Sequence, residues 1–123
     1  MPNILVVDDE PDMRRALRRL LERKGWQVVE AGEVASALEV VGRGGVDAVI
    51  CDIMMPGGSG IDFYDEMVKR DKEMARRIVF LTAAAEEPEV IRKVEARGTP
   101  LLNKLYELDL AIDAVTVALL GRA

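Results

Sequence analysis

The sequence predicts an α/β fold of five strand–helix units, and three observations carry that prediction. Short apolar runs of strand length alternate with longer stretches of helical periodicity. Glycine and proline punctuate the boundaries. The first apolar run is continuous, as in a parallel strand buried on both faces. Such alternation implies a parallel sheet with helices on both sides, because parallel neighbours need right-handed crossovers.

The elements follow in order. Ile4-Leu5-Val6-Val7 is the first strand and ends in Asp8-Asp9-Glu10. Pro11 to Lys24 reads as a helix: Met13, Leu17, Leu20 and Leu21 recur at helical spacing, arginines fill the other faces, and Gly25 stops it. Gln27 to Ala31 is the second strand, and Val34 to Arg43 the second helix, ended by Gly44-Gly45. Ala48 to Cys51 is the third strand and runs into Asp52. Met54 to Gly60, with Pro56 and three glycines, reads as a loop. Ile61 to Arg70 is the third helix, with an extension toward Glu73. Ile78 to Leu81 is the fourth strand, ending in Thr82. Pro88 opens a fourth helix that Gly98 stops. Leu101-Leu102 is a short fifth strand ending near Lys104, and Leu108 to Leu120 is the final helix.

No repeat, linker or low-complexity segment interrupts the pattern, so residues 1–123 are expected to form one domain. The net charge of −5 disfavours binding to nucleic acid or to an anionic membrane. No apolar stretch approaches the ~20 residues of a spanning helix. Cys51 is the single cysteine, which rules out an internal disulfide and suits a reduced, cytoplasmic setting. Histidine is absent. Metal chemistry would therefore fall to carboxylates, and histidine-based triads are excluded.

In open α/β sheets, ligands bind beyond the carboxyl ends of the strands. Asp8 and Asp9 follow the first strand, Asp52 the third, Thr82 the fourth and Lys104 the fifth. If those strands are central, the side chains meet in one pocket. Taken singly, each is an ordinary cap, loop or surface residue; together they form a coherent set. Clustered carboxylates repel unless a cation neutralises them, and a small hard ion such as Mg²⁺ fits oxygen donors. A carboxylate there can attack phosphorus. Phosphoryl transfer then needs charge neutralisation and positioning, which Lys104, the metal and the Thr82 hydroxyl could supply.

These residues resemble the receiver domains of two-component response regulators. The resemblance rests on Ile4-Leu5-Val6-Val7-Asp8-Asp9-Glu10, Asp52-Ile53-Met54-Met55-Pro56-Gly57, Thr82-Ala83 and Lys104, and it spans essentially the whole chain. It implies a flavodoxin-like strand order 2-1-3-4-5. It implies that Asp52 is the phosphoacceptor. Asp9, Asp52 and the backbone carbonyl of Met54 are the implied Mg²⁺ ligands, with Mn²⁺ as substitute and Asp8 acting through water. Thr82 and Lys104 are the implied switch hydroxyl and phosphate-binding cation. The implied partners are a sensor histidine kinase or phosphotransfer domain as donor, and an output domain or protein downstream. The chain would be a switch rather than an enzyme acting on other substrates. The region Phe80-Leu81-Thr82-Ala83 also resembles receivers attached to hybrid histidine kinases.

Three features depart from the family pattern. Leu105 follows Lys104 where relatives carry proline, so a trans bond or strain is expected there. Leu101 stands where an aromatic switch residue is common, which predicts switching by repacking without a rotating ring. Gly58 and Ser59 replace a Met-Asp-like pair. Met54 and Met55 read as residues that anchor their loop, with Met54 placed to shield an acyl phosphate. Cys51 reads as a small buried hydrophobe. The first helix, rich in arginine, suits a solvated face or a kinase-docking one. The last helix is more apolar than one stripe can bury, which points to a partner or a second copy. Two rival readings exist: a degenerate receiver that only binds protein, and an aspartyl-phosphate phosphohydrolase. The second needs an acid two residues after the nucleophile, and Met54 stands there.

Overall fold

The structure is a computed structural model and describes residues 1–121. Residues 122 and 123, assigned by sequence to the same domain, lie outside the described residues. Among the described residues seven strands form: β1 Asn3–Val7, β2 Gln27–Ala31, β3 Ala48–Cys51, β4 Met54–Met55, β5 Gly58–Ser59, β6 Ile78–Thr82 and β7 Leu101–Asn103. The helices are α1 Pro11–Glu22, α2 Val34–Gly42, α3 Gly60–Arg70, α4 Lys72–Ala75, α5 Pro88–Arg97 and α6 Leu108–Leu120. The main sheet is parallel, with order β2-β1-β3-β6-β7. Counting only its five strands, this is the expected order 2-1-3-4-5. The fifth strand lies at the sheet edge rather than at its centre.

Period-two alternation divides the sheet's side chains between two cores. Leu5, Val7, Val49, Cys51, Ile78 and Phe80 point to one face and meet Ala37, Phe63, Met67, Val90 and Val94 from α2, α3 and α5. Ile4, Val6, Ala48, Ile50, Val79 and Leu81 point to the other and meet Leu17 and Leu21 of α1 and Ala111 and Val115 of α6. All twelve strand residues are buried, as the continuous apolar runs require.

Two local readings change. The segment read as a loop between Met54 and Gly60 contains a short antiparallel hairpin, in which Met54 pairs with Ser59 and Met55 with Gly58. Met55 packs against the core, but Met54 is 59% exposed and does not anchor the loop from inside. The third helix does not extend unbroken toward Glu73. It stops at Asp71, whose extended backbone (φ −158°, ψ 92°) and side chain cap the separate turn α4 by accepting from the Met74 N–H at 3.1 Å.

The start of α3 fixes the neighbourhood of Asp52. Ser59 Oγ accepts from the Ile61 N–H at 3.0 Å, and Asp62 accepts from the Ser59 N–H at 3.3 Å, a reciprocal cap. The Gly60 N–H donates to the Ile53 carbonyl at 2.9 Å. This draws the helix so close that a Cβ on Gly60 would lie 2.2 Å from the Asp52 carbonyl oxygen. On the opposite flank the final helix leaves apolar surface uncovered, as expected: Leu110, Val117 and Leu120 are exposed, as are Leu105 and Tyr106 before it.

Gly60→Ala is expected to destabilise the fold by about 2 kcal/mol or more, since rigid backbone would have to move to relieve the overlap. Gly42→Ala, at the end of α2 with open space around it, should be neutral or slightly stabilising. Urea unfolding midpoints of the two variants provide the comparison. A Gly60→Ala midpoint equal to wild type would contradict the close approach.

Candidate functional site

The carboxyl ends of β1, β3, β6 and β7 deliver Asp8, Asp52, Thr82 and Lys104 to one edge of the sheet. Backbone hydrogen bonds hold each in place. The Asp8 N–H donates to the Ala31 carbonyl at 3.1 Å, the Asp52 N–H to Val7 at 2.9 Å, and the Lys104 N–H to Thr82 at 3.1 Å. The ladder thus continues one residue past β1, β3 and β7, and the polar side chain there stays buried. Asp8, Asp52, Thr82 and Lys104 are all buried.

The Lys104 ammonium joins the set. Nζ donates to Asp8 Oδ2 at 2.9 Å, to Asp52 Oδ2 at 2.9 Å and to Glu10 Oε1 at 2.8 Å. The remaining oxygens are also engaged: Asp52 Oδ1 accepts from the Ile53 N–H at 2.7 Å and the Met54 N–H at 3.3 Å, and Asp8 Oδ1 accepts from the Glu10 N–H at 2.9 Å. Buried charges persist only when paired and hydrogen-bonded in this way. Burial opposes the charge on Lys104, but its bonds to Glu10, Asp52 and Asp8 outweigh it and raise the lysine pKa above the ordinary value. Asp8 is raised as well. There burial dominates, and the Glu10 N–H and Lys104 only partly offset it. The Asp8 carboxylate is thus less favourable in the fold than in water, although a cation touches it.

An open cleft of about 350 Å³ lies over these groups, lined by Asp9, Glu10, Asp52, Met54, Thr82, Ala83, Ala84, Glu87 and Lys104. Asp9 is exposed and lines the cleft, whereas Asp8 is buried beneath it. Thr82 Oγ1 accepts from the Ala84 N–H at 3.3 Å. Leu101 does not line the cleft. It is half-buried on β7 opposite Phe80 and packs against the core cluster that includes Val90 and Val94. The peptide bond between Lys104 and Leu105 is trans, as are all others among the described residues. Cys51 is a core residue: burial, reinforced by Asp52 and Asp8, pushes its thiol pKa up and keeps it protonated.

Glu10 was not singled out from sequence. Its carboxylate lies with those of Asp8 and Asp52 in a group whose oxygens are all within 4.8 Å of one another. Three carboxylates share one ammonium, so negative charge is in excess, and every donor is a hard oxygen. This chemistry fits Mg²⁺. In the sequence Glu10 is only the third acid of the run Asp8-Asp9-Glu10; as the extended N-cap residue of α1 it is brought to Lys104 Nζ at 2.8 Å by the fold.

Comparison with known proteins agrees with this geometry. The family model of the response regulator receiver domain matches residues 4–116. The chain therefore belongs to the receiver domain family of two-component response regulators. It is 35% identical over 103 residues to the phosphate regulon transcriptional regulatory protein PhoB of Escherichia coli (strain K12), covering 84% of this chain and 45% of that protein. It is 33% identical over 120 residues to the nitrate/nitrite response regulator protein NarP of the same organism, covering 96% and 55%. The chain thus spans about half the length of these curated relatives. Among solved structures, the response regulator protein TrrA of Thermotoga maritima, in complex with Mg²⁺-BeF, superposes with a TM-score of 0.84 at 31% identity, covering 96% of this chain and 99% of that one. A sensor protein from Polaromonas sp. JS666 gives a TM-score of 0.85 at 28% identity, covering 99% and 98%. Among the described residues no helix is long and apolar enough to cross a membrane.

The raised Asp8 pKa predicts a pH-dependent gain from removing its charge. A carboxyl whose folded pKa exceeds its unfolded one lowers stability as pH rises through that window. Without divalent cations at neutral pH, Asp8→Asn should therefore melt above wild type. The gain should shrink as pH falls and Asp8 becomes protonated. Melting curves at several pH values check this; a variant that melts lower at neutral pH would show Asp8 to be net stabilising.

Proposed function

We propose that this domain, residues 1–123, is a phosphorylation switch in which Asp52 accepts a phosphoryl group in a Mg²⁺-dependent reaction and alters the surface offered to a partner. The observation that carries the reading is the Asp52 carboxylate: it is buried at the floor of an open cleft, with the Lys104 ammonium 2.9 Å away and further acids around it. The donor is a phosphohistidine on a sensor histidine kinase or phosphotransfer domain. An Asp52 oxygen forms the new P–O bond as the donor's P–N bond breaks, and the imidazole leaves.

Asp8, Asp9, Asp52 and the backbone carbonyl of Met54 are the groups proposed to hold Mg²⁺, or Mn²⁺ in its place, and Glu10 stands within reach of the same position. Bound there, the ion neutralises charge on the acids and on the incoming phosphoryl oxygens. The TrrA structure, which holds Mg²⁺-BeF, supports this assignment. Lys104 already contacts Asp52 and is placed to pair with a phosphoryl oxygen. Thr82, at the end of the neighbouring strand, is proposed to turn its hydroxyl toward the phosphate. That would reshape the segment from Ala83 to Glu87 and repack Leu101 above it, because a new doubly charged group demands donors. The chain modifies only itself, in the cytoplasm. Its output is an attached or separate protein, and the apolar surface of Leu110, Val117 and Leu120 is suited to that partner or to a second copy.

Incubation with acetyl phosphate and Mg²⁺ should add one phosphoryl mass, read by intact-protein mass spectrometry. Asp52→Asn should take up none, and EDTA should abolish uptake. Labelling of Asp52→Asn, or indifference to EDTA, would sink the assignment.

The lifetime of the acyl phosphate follows from the cleft lining. Hydrolysis needs a water aligned opposite the leaving carboxylate. Met54 and Ala84 both line the cleft, and neither side chain can orient a water by hydrogen bonding. Self-dephosphorylation should be slow, and Met54→Asn should accelerate it about tenfold, equivalent to ~1.4 kcal/mol of transition-state stabilisation. Phosphate release from the purified acyl phosphate measures this. An unchanged rate in a folded Met54→Asn protein would leave Met54 without a part in the lifetime.

A further inference from the structure

A second polar cluster lies beneath the acidic cleft, on the α1 side of the sheet. Glu30 of β2 gives each carboxylate oxygen to a different arginine of α1: Arg14 Nε donates to Oε1 at 2.9 Å, and Arg18 Nε to Oε2 at 2.8 Å. Arg14 has a second contact that Arg18 lacks. Its Nη1 donates to the backbone carbonyl of Asp8 at 2.5 Å. The Arg14 N–H also donates to the carbonyl of Glu10 at 3.1 Å. Gly32 leaves the guanidinium its space, for Nη1 lies 3.4 Å from where a Gly32 Cβ would stand. The bond to Glu10 is the first-turn backbone bond of α1, which any non-proline residue at this position makes; the guanidinium itself holds the chain on the Asp8 side of Asp9.

We propose that Arg14 is a positioning residue for the cation site: by tying the Asp8 carbonyl to Glu30 of β2 through its guanidinium, it aims the side chains of Asp8 and the adjoining Asp9 and Glu10 at the cleft. This rests on the metal-dependent reading of the cleft given above. The Asp8 backbone is then fixed at both ends, its N–H by the Ala31 carbonyl and its C=O by Arg14. Arg14 uses one planar guanidinium at two points, Nε on Glu30 and Nη1 on the Asp8 carbonyl, which a lysine ammonium cannot reproduce. Groups that orient ligands from behind in this way commonly account for tenfold or more of a site's metal affinity.

The sign of the effect separates positioning from simple electrostatics. Removing a positive charge beside an acidic cluster should, by Coulomb's law alone, tighten cation binding. Loss of positioning should weaken it. The test is Mn²⁺ titration calorimetry on the full chain for wild type, Arg14→Met and Arg18→Met, with melting temperatures in parallel. Methionine keeps an apolar stem and removes the donors. Arg14→Met is expected to bind Mn²⁺ about tenfold more weakly, while Arg18→Met stays within about twofold of wild type, although each loses one bond to Glu30. Binding by Arg14→Met equal to or tighter than wild type overturns the proposal, and so does an equal loss in both variants. Should Arg14→Met fail to fold, Arg14→Lys takes its place. It keeps an ion pair with Glu30 but not the bridge to Asp8, so weaker Mn²⁺ binding supports the proposal and unchanged binding overturns it. Wild-type protein that binds no Mn²⁺ is a different result: it removes the metal-dependent reading itself.

Discussion

Lys104 Nζ lies within 2.9 Å of carboxylate oxygens from Asp8, Glu10 and Asp52. That contact gathers the ends of β1, β3 and β7 around one buried charge. Taking an ion out of water costs several kcal/mol even after relaxation, and only good geometry with every oxygen satisfied offsets it. Here Asp52 accepts from two backbone N–H groups besides the ammonium, and Asp8 from one. Deleting the lysine alone would strand two buried carboxylates side by side, a loss of about 3–5 kcal/mol for a buried pair.

The rest of the architecture serves to hold those ends still. Two apolar cores press on the sheet from opposite faces, and their strand residues are almost wholly inaccessible to water. A close-packed interior transmits strain rather than absorbing it. The segments least tied to those cores are Ala83–Glu87 and the exposed Leu105-Tyr106 pair after β7, where few apolar side chains are buried. The hairpin of β4 and β5 carries the exposed Met54 over the cleft while the reciprocal cap at Ser59 and the tight seat of Gly60 fix its base.

Charge is distributed unevenly about this frame. The cleft keeps an excess of carboxylate over ammonium, whereas α1 carries arginines, two of which converge on Glu30 behind β1. The Arg14 and Arg18 guanidinium groups hold the Glu30 carboxyl below its ordinary pKa despite the burial that opposes its charge, and Glu30 in turn raises Arg18. This pair of contacts is half-buried and bridges helix to sheet, unlike the exposed ion pairs along single helices, such as Arg43 with Glu39, which contribute little.

Much of this was legible from sequence, and the reason is local. Each of Asp8, Asp52 and Thr82 is the polar residue next to or ending a short apolar run, and chain alternation alone places the ends of parallel strands on one edge. Helix boundaries marked by Pro11, Pro88 and Gly98 likewise depend only on backbone sterics, and all three hold. The hairpin at Met54–Ser59 was missed because two-residue strands have no periodicity to read, and the stop at Asp71 because a cap competes with helix continuation through a single side chain. Glu10 was missed for a longer-range reason. Its place in the site depends on an ammonium 94 residues away, and no local pattern encodes that reach. The sequence by itself determined the five alternating units, their two-faced burial and the acids and lysine at the strand ends, since periodicity and sterics act between near neighbours. Only the tertiary structure decided which carboxylates share Lys104, that Asp8 is buried while Asp9 faces the cleft, and that Arg14 reaches the Asp8 carbonyl, because those pairings depend on the distances that the packed sheet and helices impose.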